Sequence, residues 1–310
     1  MDGVLTGFGI IAAIIVAGYF LERSAVAGPQ AQFALNRVAF FVATPCLLFY
    51  TLAHSEIAAL FSSRLPLAAL SAFSAALVFI VLSRLFLRRA RPRTAAEMTI
   101  GALSASLLNA NNIGLPVAIY VFGDYTEVVP VLLFQLLIMN PIALSILDFS
   151  TAKKVTLGSI LSQPIRNPMV IASAIGVLVA VSGVHIPDAV FEPFHIIGGA
   201  AIPMILLTFG MSLHGSKPLR GGPDTGDIWL ASLIKVAVMP ALAYLFGVYL
   251  LGLEGPTLTA AVMVSALPTA QNVYNFASRY NVALVMSRDT VLLTTVLSIP
   301  ALSLIAVLMM

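Results

Sequence analysis

The stretch LNANNIGLPV, residues 108–117, sets Asn109, Asn111, Asn112, Gly114 and Pro116 inside a long apolar run. Its surroundings make it anomalous. The 310 residues of the chain are 60% hydrophobic and only 9% charged, with a mean hydropathy of +1.02. That composition cannot clothe a water-soluble globule in polar groups. An all-α membrane protein is expected. A helix needs roughly 20 apolar residues to cross the hydrocarbon, and ten runs of that order recur, at about 4–21, 33–53, 66–88, 97–122, 128–147, 168–184, 194–213, 228–251, 257–279 and 284–308. Barrel strands would be about 10 residues long with strict alternation, which these runs lack. The first run follows Asp2 and not a basic cluster, so it reads as a span and not as a removed signal segment.

Basic residues gather after the odd-numbered runs: Arg23, Arg37, the arginines from Arg84 to Arg93, Lys153, Lys154, Arg166, Lys217, Arg220, Arg279 and Arg288. The other side carries Arg64 with the acids Asp124, Glu127, Asp188, Glu192 and Glu254. Short Lys/Arg-rich loops stay cytoplasmic, so both termini are expected outside the cytoplasm of a bacterial inner membrane. The net charge of +3 then reports topology and lipid headgroups, and no nucleic-acid partner is implied. Cys46 is the only cysteine, which rules out an internal disulfide and a cysteine-paired metal site. There is no HExxH, GxSxG or phosphate-cradling glycine loop. No cofactor, no metal and no enzymatic role is expected, and ATP-driven pumping by this chain is excluded.

Landmarks recur in order on either side of a basic linker at 148–167, dividing the chain into halves 1–150 and 151–310. Pro45 in the second run answers to Pro203 in the seventh, and Pro141 in the fifth to Pro300 in the tenth. LLNANNIGLPVAIYVFG in the fourth corresponds to VSALPTAQNVYNFASRY in the ninth. Five spans per half force the second half to enter the membrane from the opposite face. Inverted repeats with interrupted helices at matching positions point to a transporter's binding site.

The anomaly at 108–117 then has a physical reading. In hydrocarbon every backbone amide must be bonded, so a break at Pro116 or Pro268 is tolerable only where it lines a protein-enclosed cavity. Half-helix ends meeting there would offer partial charges without ionised side chains. Asn109, Asn111, Asn112 and Gly114 precede the first break, and Thr269, Gln271 and Asn272 follow the second. Asn140, beside Pro141, either satisfies a proline-freed carbonyl or faces the same site. Lys235, within the eighth run, is either a counter-charge for an anion or a side chain snorkelling to the interface.

NRVAFFVATPCLLF, NANNIGLPVAIYVFG, KVAVMPALA and, above all, SALPTAQNVYNFASRYNV make the chain similar to bacterial members of the auxin efflux carrier family, relatives of the plant PIN proteins, over nearly its full length. The resemblance implies ten transmembrane helices in two inverted five-helix repeats, the fold of bile-acid sodium symporters and sodium/proton antiporters. Helices 1, 2, 6 and 7 would form a scaffold. Helices 3–5 and 8–10 would form a transport domain in which helices 4 and 9 cross at their breaks, moving as an elevator. Lys235 matches a basic residue that precedes a proline in the family, here Pro240. Family substrates are organic acid anions, either auxin-like monocarboxylates or malonate- and malate-like dicarboxylates. The resemblance also suggests a homodimer.

The expectation is a secondary carrier of small organic anions, with a coupling proton, a coupling sodium ion or the membrane potential as the driving force. The alternatives are a sodium-coupled symporter of the bile-acid type, an anion channel and a sensor. A channel should show polar stripes along several helices, and a sensor should carry a signalling domain.

Overall fold

In the computed structural model the described residues are 2–28, 30–54, 64–87, 93–125, 127–150, 168–184, 186–215 and 224–309. They are helical nearly throughout. The helices are α1 (Asp2–Arg23), α2 (Ala31–Ala53), α3 (Arg64–Phe86), α4 (Ala95–Ser106), α5 (Ala110–Phe122), α6 (Val129–Ser150), α7 (Pro168–Ser182), α8 (Asp188–Leu213, interrupted at Ala200), α9 (Thr225–Leu251), α10 (Gly255–Ser265), α11 (Gln271–Tyr280) and α12 (Leu284–Met309). Among the described residues the only extended pairing is one antiparallel bridge between Leu108 and Thr269.

Six of these helices, α2, α3, α6, α8, α9 and α12, are each long and apolar enough to cross a membrane. The other expected runs hold α1, the short α7, and two pairs of shorter helices, α4 with α5 and α10 with α11. Of the basic linker at 148–167, residues 151–167 lie outside the described residues, as does most of the arginine cluster after Arg84, while 148–150 end α6.

Each interruption has a local cause. A capping box opens α4: Glu97 N donates to Thr94 Oγ1 at 3.1 Å and Thr94 N to Glu97 Oε2 at 2.8 Å. Leu107 then turns extended, with φ −78° and ψ 118°. Asn109 restarts the helix as the N-cap of α5, its Oδ1 accepting from Asn112 N at 3.2 Å. The break in the fourth run therefore lies at residues 107–109. This corrects the expected break at Pro116, because α5 continues through that proline.

Proline leaves another mark. Wide π turns at Ala39–Ala43, Ala110–Gly114, Gln135–Met139 and Ile234–Val238 stand just ahead of Pro45, Pro116, Pro141 and Pro240. A proline has no amide to donate, and its ring crowds the carbonyl four residues back. Widening the preceding turn relieves that clash without ending the helix. Pro268 behaves as expected, lying in the non-helical link between α10 and α11.

Packing pairs the helices reciprocally. α1 runs against the second part of α8, and α7 against α2; α3 packs on α9; α3 touches α4 as α9 touches α10. Glycines permit the tightest approaches, as is usual where helices meet in lipid. A Cβ on Gly18 would fall onto the Leu207 carbonyl, and one on Gly210 onto that of Ile15. A Cβ on Gly176 would meet Phe49 O at 2.9 Å, and one on Gly198 would meet Leu47 Cα at 2.9 Å. Outward-facing Phe73, Leu77, Leu85, Leu250, Val296 and Leu304 remain exposed. They suit acyl chains.

Candidate functional site

The two interruptions meet. Asn109 N donates to Pro268 O at 2.8 Å, and Ala270 N donates to Leu107 O at 2.9 Å, so the extended links at 107–109 and 266–270 pair across the molecule. Thr269 locks the crossing from behind. Its hydroxyl donates to Ser104 O at 2.6 Å in the last turn of α4, and its amide donates to Thr294 Oγ1 on α12 at 3.1 Å. Gly114 lets the two links approach, since a Cβ there would stand 3.0 Å from Val128 Cγ1 and 3.1 Å from Leu267 Cδ1.

Four half-helix ends converge here. α4 and α10 arrive with their C-termini, and α5 and α11 leave with their N-termini. The first amides of a helix have no intrahelical acceptor, and its N-terminal pole carries a partial positive charge. Both departing helices are long enough for that pole to matter.

A cavity of about 580 Å³ lies against these N-termini. Asn109, Asn111, Asn112, Asn140, Gln271 and Asn272 all line it. Asn112 Nδ2 donates to Gln271 Oε1 at 3.2 Å, and Asn111 Nδ2 to Asn112 Oδ1 at 2.7 Å, so amides from both halves form one chain. Asn109 Nδ2, Asn111 Oδ1, Gln135 Nε2 and Asn140 Oδ1 are buried without a hydrogen-bond partner. Such groups cost about 1–3 kcal/mol each when left unmet. Four such groups beside one cavity are hydrogen-bonding positions that water or a polar guest can meet.

Gly114, Pro116, Pro268 and Thr269 do not line the cavity; they hold the backbone that does. Lys235 stands elsewhere too. It is fully buried at 0% exposure, its Nζ donating to Ser265 O at 2.8 Å and lying 3.3 Å from Met239 Sδ. That places an amine donor on the C-terminal carbonyl of α10, at the negative pole of a half-helix. It neither snorkels to an interface nor faces the cavity.

Sequence reasoning missed Gln135, Asn275, Asn36 and Arg37, which complete the polar lining. Gln135 was findable, as a lone amide in the apolar run VLLFQLLIMN. Arg37 was read only as a topology marker. With these, nine carboxamide side chains and one arginine among the described residues line the cavity, and no described aspartate or glutamate does. Among the described residues no cluster of His, Cys, Asp or Glu could hold a metal.

Known proteins agree with a transporter. A protein of Rhizobium meliloti (strain 1021) named "Putative malonate transporter" is 26% identical over 304 residues, covering 96% of this chain and 91% of that protein. "Uncharacterized transporter YfdV" of Escherichia coli (strain K12) is 26% identical over 280 residues, 88% of this chain and 87% of its own length. "Uncharacterized transporter MJ1031" of Methanocaldococcus jannaschii is 23% identical over 310 residues, covering 96% of this chain and 95% of that protein. The family described as membrane transport protein matches residues 8–155 and 150–306. Matched almost end to end, the chain belongs to this membrane transport protein family, that of the auxin efflux carriers, and is an integral membrane transporter and not an enzyme.

Proposed function

We propose that the protein is a secondary transporter of small organic acid anions, carrying mono- or dicarboxylates through the site where the two helix breaks meet. The observation that carries this reading is the lining: nine carboxamides, one arginine and no carboxylate, set against two half-helix N-termini. An anion is favoured there by amide donors and by the helix poles. A cation would find no formal counter-charge among the described lining residues. The name of the Rhizobium relative, a malonate transporter, is consistent with this cargo.

The chain crosses the membrane ten times, as two inverted five-helix halves, 1–150 and 151–310, with both termini outside the bacterial inner membrane. The reciprocal pairing of α1 with α8 and of α7 with α2, and of α3 with α4 and α9 with α10, supports the inverted repeat. α1, α2, α7 and α8 serve as scaffold, and the rest move as an elevator. The cavity reaches Asn36 and Arg37 near the start of α2 and Pro168 at the start of α7. On the charge asymmetry of the loops that mouth is cytoplasmic, so this conformation faces inward.

Uptake of radiolabelled organic acids into proteoliposomes tests the reading, with coupling read by varying sodium, pH and membrane potential separately. Asn112→Ala and Gln271→Ala should each weaken binding at least about tenfold, because each removes an amide from the chain that joins the halves. Near-normal affinity in both variants would move the site elsewhere.

A further inference from the structure

Among the described residues, Arg37 is the one ionised side chain lining the cavity. Its guanidinium carbon stands 5.5 Å from the ring centroid of Phe33 and 5.4 Å from that of Phe41, one helical turn before and one after it on α2. Rings on both sides hold the planar cation in place, so little freedom is lost when it pairs. The ion pairs among the described residues engage Arg64, Arg93, His195 and Arg288, and none engages Arg37. A positioned cation thus faces a polar cavity whose described lining holds no carboxylate.

We infer that Arg37 is a specificity-determining residue that receives the second carboxylate of a dianionic substrate, whose first carboxylate docks on the amides at the crossing. The inference rests on the organic-anion reading above and adds to it how mono- and dicarboxylates are told apart. A carboxylate meets a guanidinium fork through two parallel charge-assisted hydrogen bonds. A monocarboxylate satisfies the amides but leaves Arg37 unpaired. The same cation, exposed at the mouth, could instead meet the phosphate of an anionic lipid headgroup, and the test separates the two.

The full chain is purified into nanodiscs of phosphatidylcholine alone, or with phosphatidylglycerol added. Binding of malonate, succinate and their monomethyl esters is measured calorimetrically for wild type, Arg37→Gln and Arg37→Lys. Each ester keeps the carbon skeleton and one carboxylate and loses the other charge. Wild type should bind each diacid about tenfold or more tighter than its ester, and Arg37→Gln should erase that difference while leaving ester affinity within about twofold. Arg37→Lys should keep part of the preference, because an ammonium supplies the charge without the fork. An unchanged melting temperature for the unliganded variants shows that they fold. If Arg37→Gln does not fold, the preference retained by Arg37→Lys decides, and full retention of the wild-type preference overturns the inference.

Equal binding of diacid and ester by wild type, or equal loss of both in Arg37→Gln, overturns the inference and leaves the organic-anion reading standing. A difference between wild type and Arg37→Gln that appears only with phosphatidylglycerol present assigns the cation to lipid, and also overturns it. Absence of binding for all four acids would bring down the organic-anion reading itself.

Discussion

Asn109 does three structural tasks at once. Its amide pairs with Pro268 O, its carbonyl accepts from Ile113 N at 3.1 Å and Gly114 N at 2.9 Å, and its side-chain oxygen caps α5. Only its Nδ2 is left over, buried and unpartnered beside the cavity. Asn109→Ala should lower stability by about 1 kcal/mol, the usual worth of an N-cap, read as a lower melting temperature in detergent. Asn109→Asp separates cap from guest. It keeps the acceptor for Asn112 N but turns the spare donor into a negative oxygen, so the fold should hold while anion binding falls by at least about tenfold. An Asp variant that binds anions as wild type does would show that this edge of the cavity does not touch them. The polar character of this residue and of Gln271 was legible because an amide in an apolar run has few other reasons to be there. What Lys235 does was not. Sequence places it in a span but cannot say that Ser265 O ends a helix within its reach.

Among the helices, the prolines were legible as landmarks, and of the two expected breaks Pro268 marks one while Pro116 does not. Pro116 marks a widened turn inside α5, whereas the chain comes apart at Leu107–Asn109, where an asparagine can restart a helix. Hydropathy reports apolarity and not the geometry of one turn, so this distinction needed coordinates. The glycine contacts were hidden for the same reason. Gly18 and Gly9 look alike in α1, yet a Cβ on Gly9 would meet nothing within 4 Å while one on Gly18 would strike the backbone of Leu207. Backbone cannot swing aside as a side chain can. Gly18→Ala should therefore push α1 from α8 and cost about 1–3 kcal/mol, whereas Gly9→Ala should be neutral or slightly stabilising. Melting curves of the two variants, run side by side, check the contrast.

Across the whole molecule, the halves are joined at more than the crossing. Arg93, just ahead of α4, places Nη2 2.6 Å and 2.7 Å from the two carboxylate oxygens of Asp227 on α9, and Ser83 on α3 donates to the same carboxylate at 3.2 Å. On α11, Tyr280 donates to Asp148 on α6 at 2.5 Å. With side chains only 9% and 2% exposed, the Arg93 pair is shielded from salt. Asp227→Asn should cost about 3–5 kcal/mol by leaving a buried guanidinium unmatched, while Arg93→Met with Asp227→Leu should recover most of that loss. A double variant as unstable as the single one would show that the contact matters for more than charge. Sequence counted Arg93 among the loop cations, because charge statistics cannot see which arginine turns inward. It did foresee that two matching polar segments, far apart in the chain, belong together.

The bridge between Leu108 and Thr269 also dictates an order of assembly. The amide of Asn109 waits for the carbonyl of Pro268, a partner not yet synthesised when the fourth run reaches the bilayer. Until then its unpaired link needs shelter, from the insertion machinery or from water. A released chain truncated before residue 266 should be cleared by membrane proteases faster than one truncated after residue 280, because only the longer chain contains the partners that close that gap.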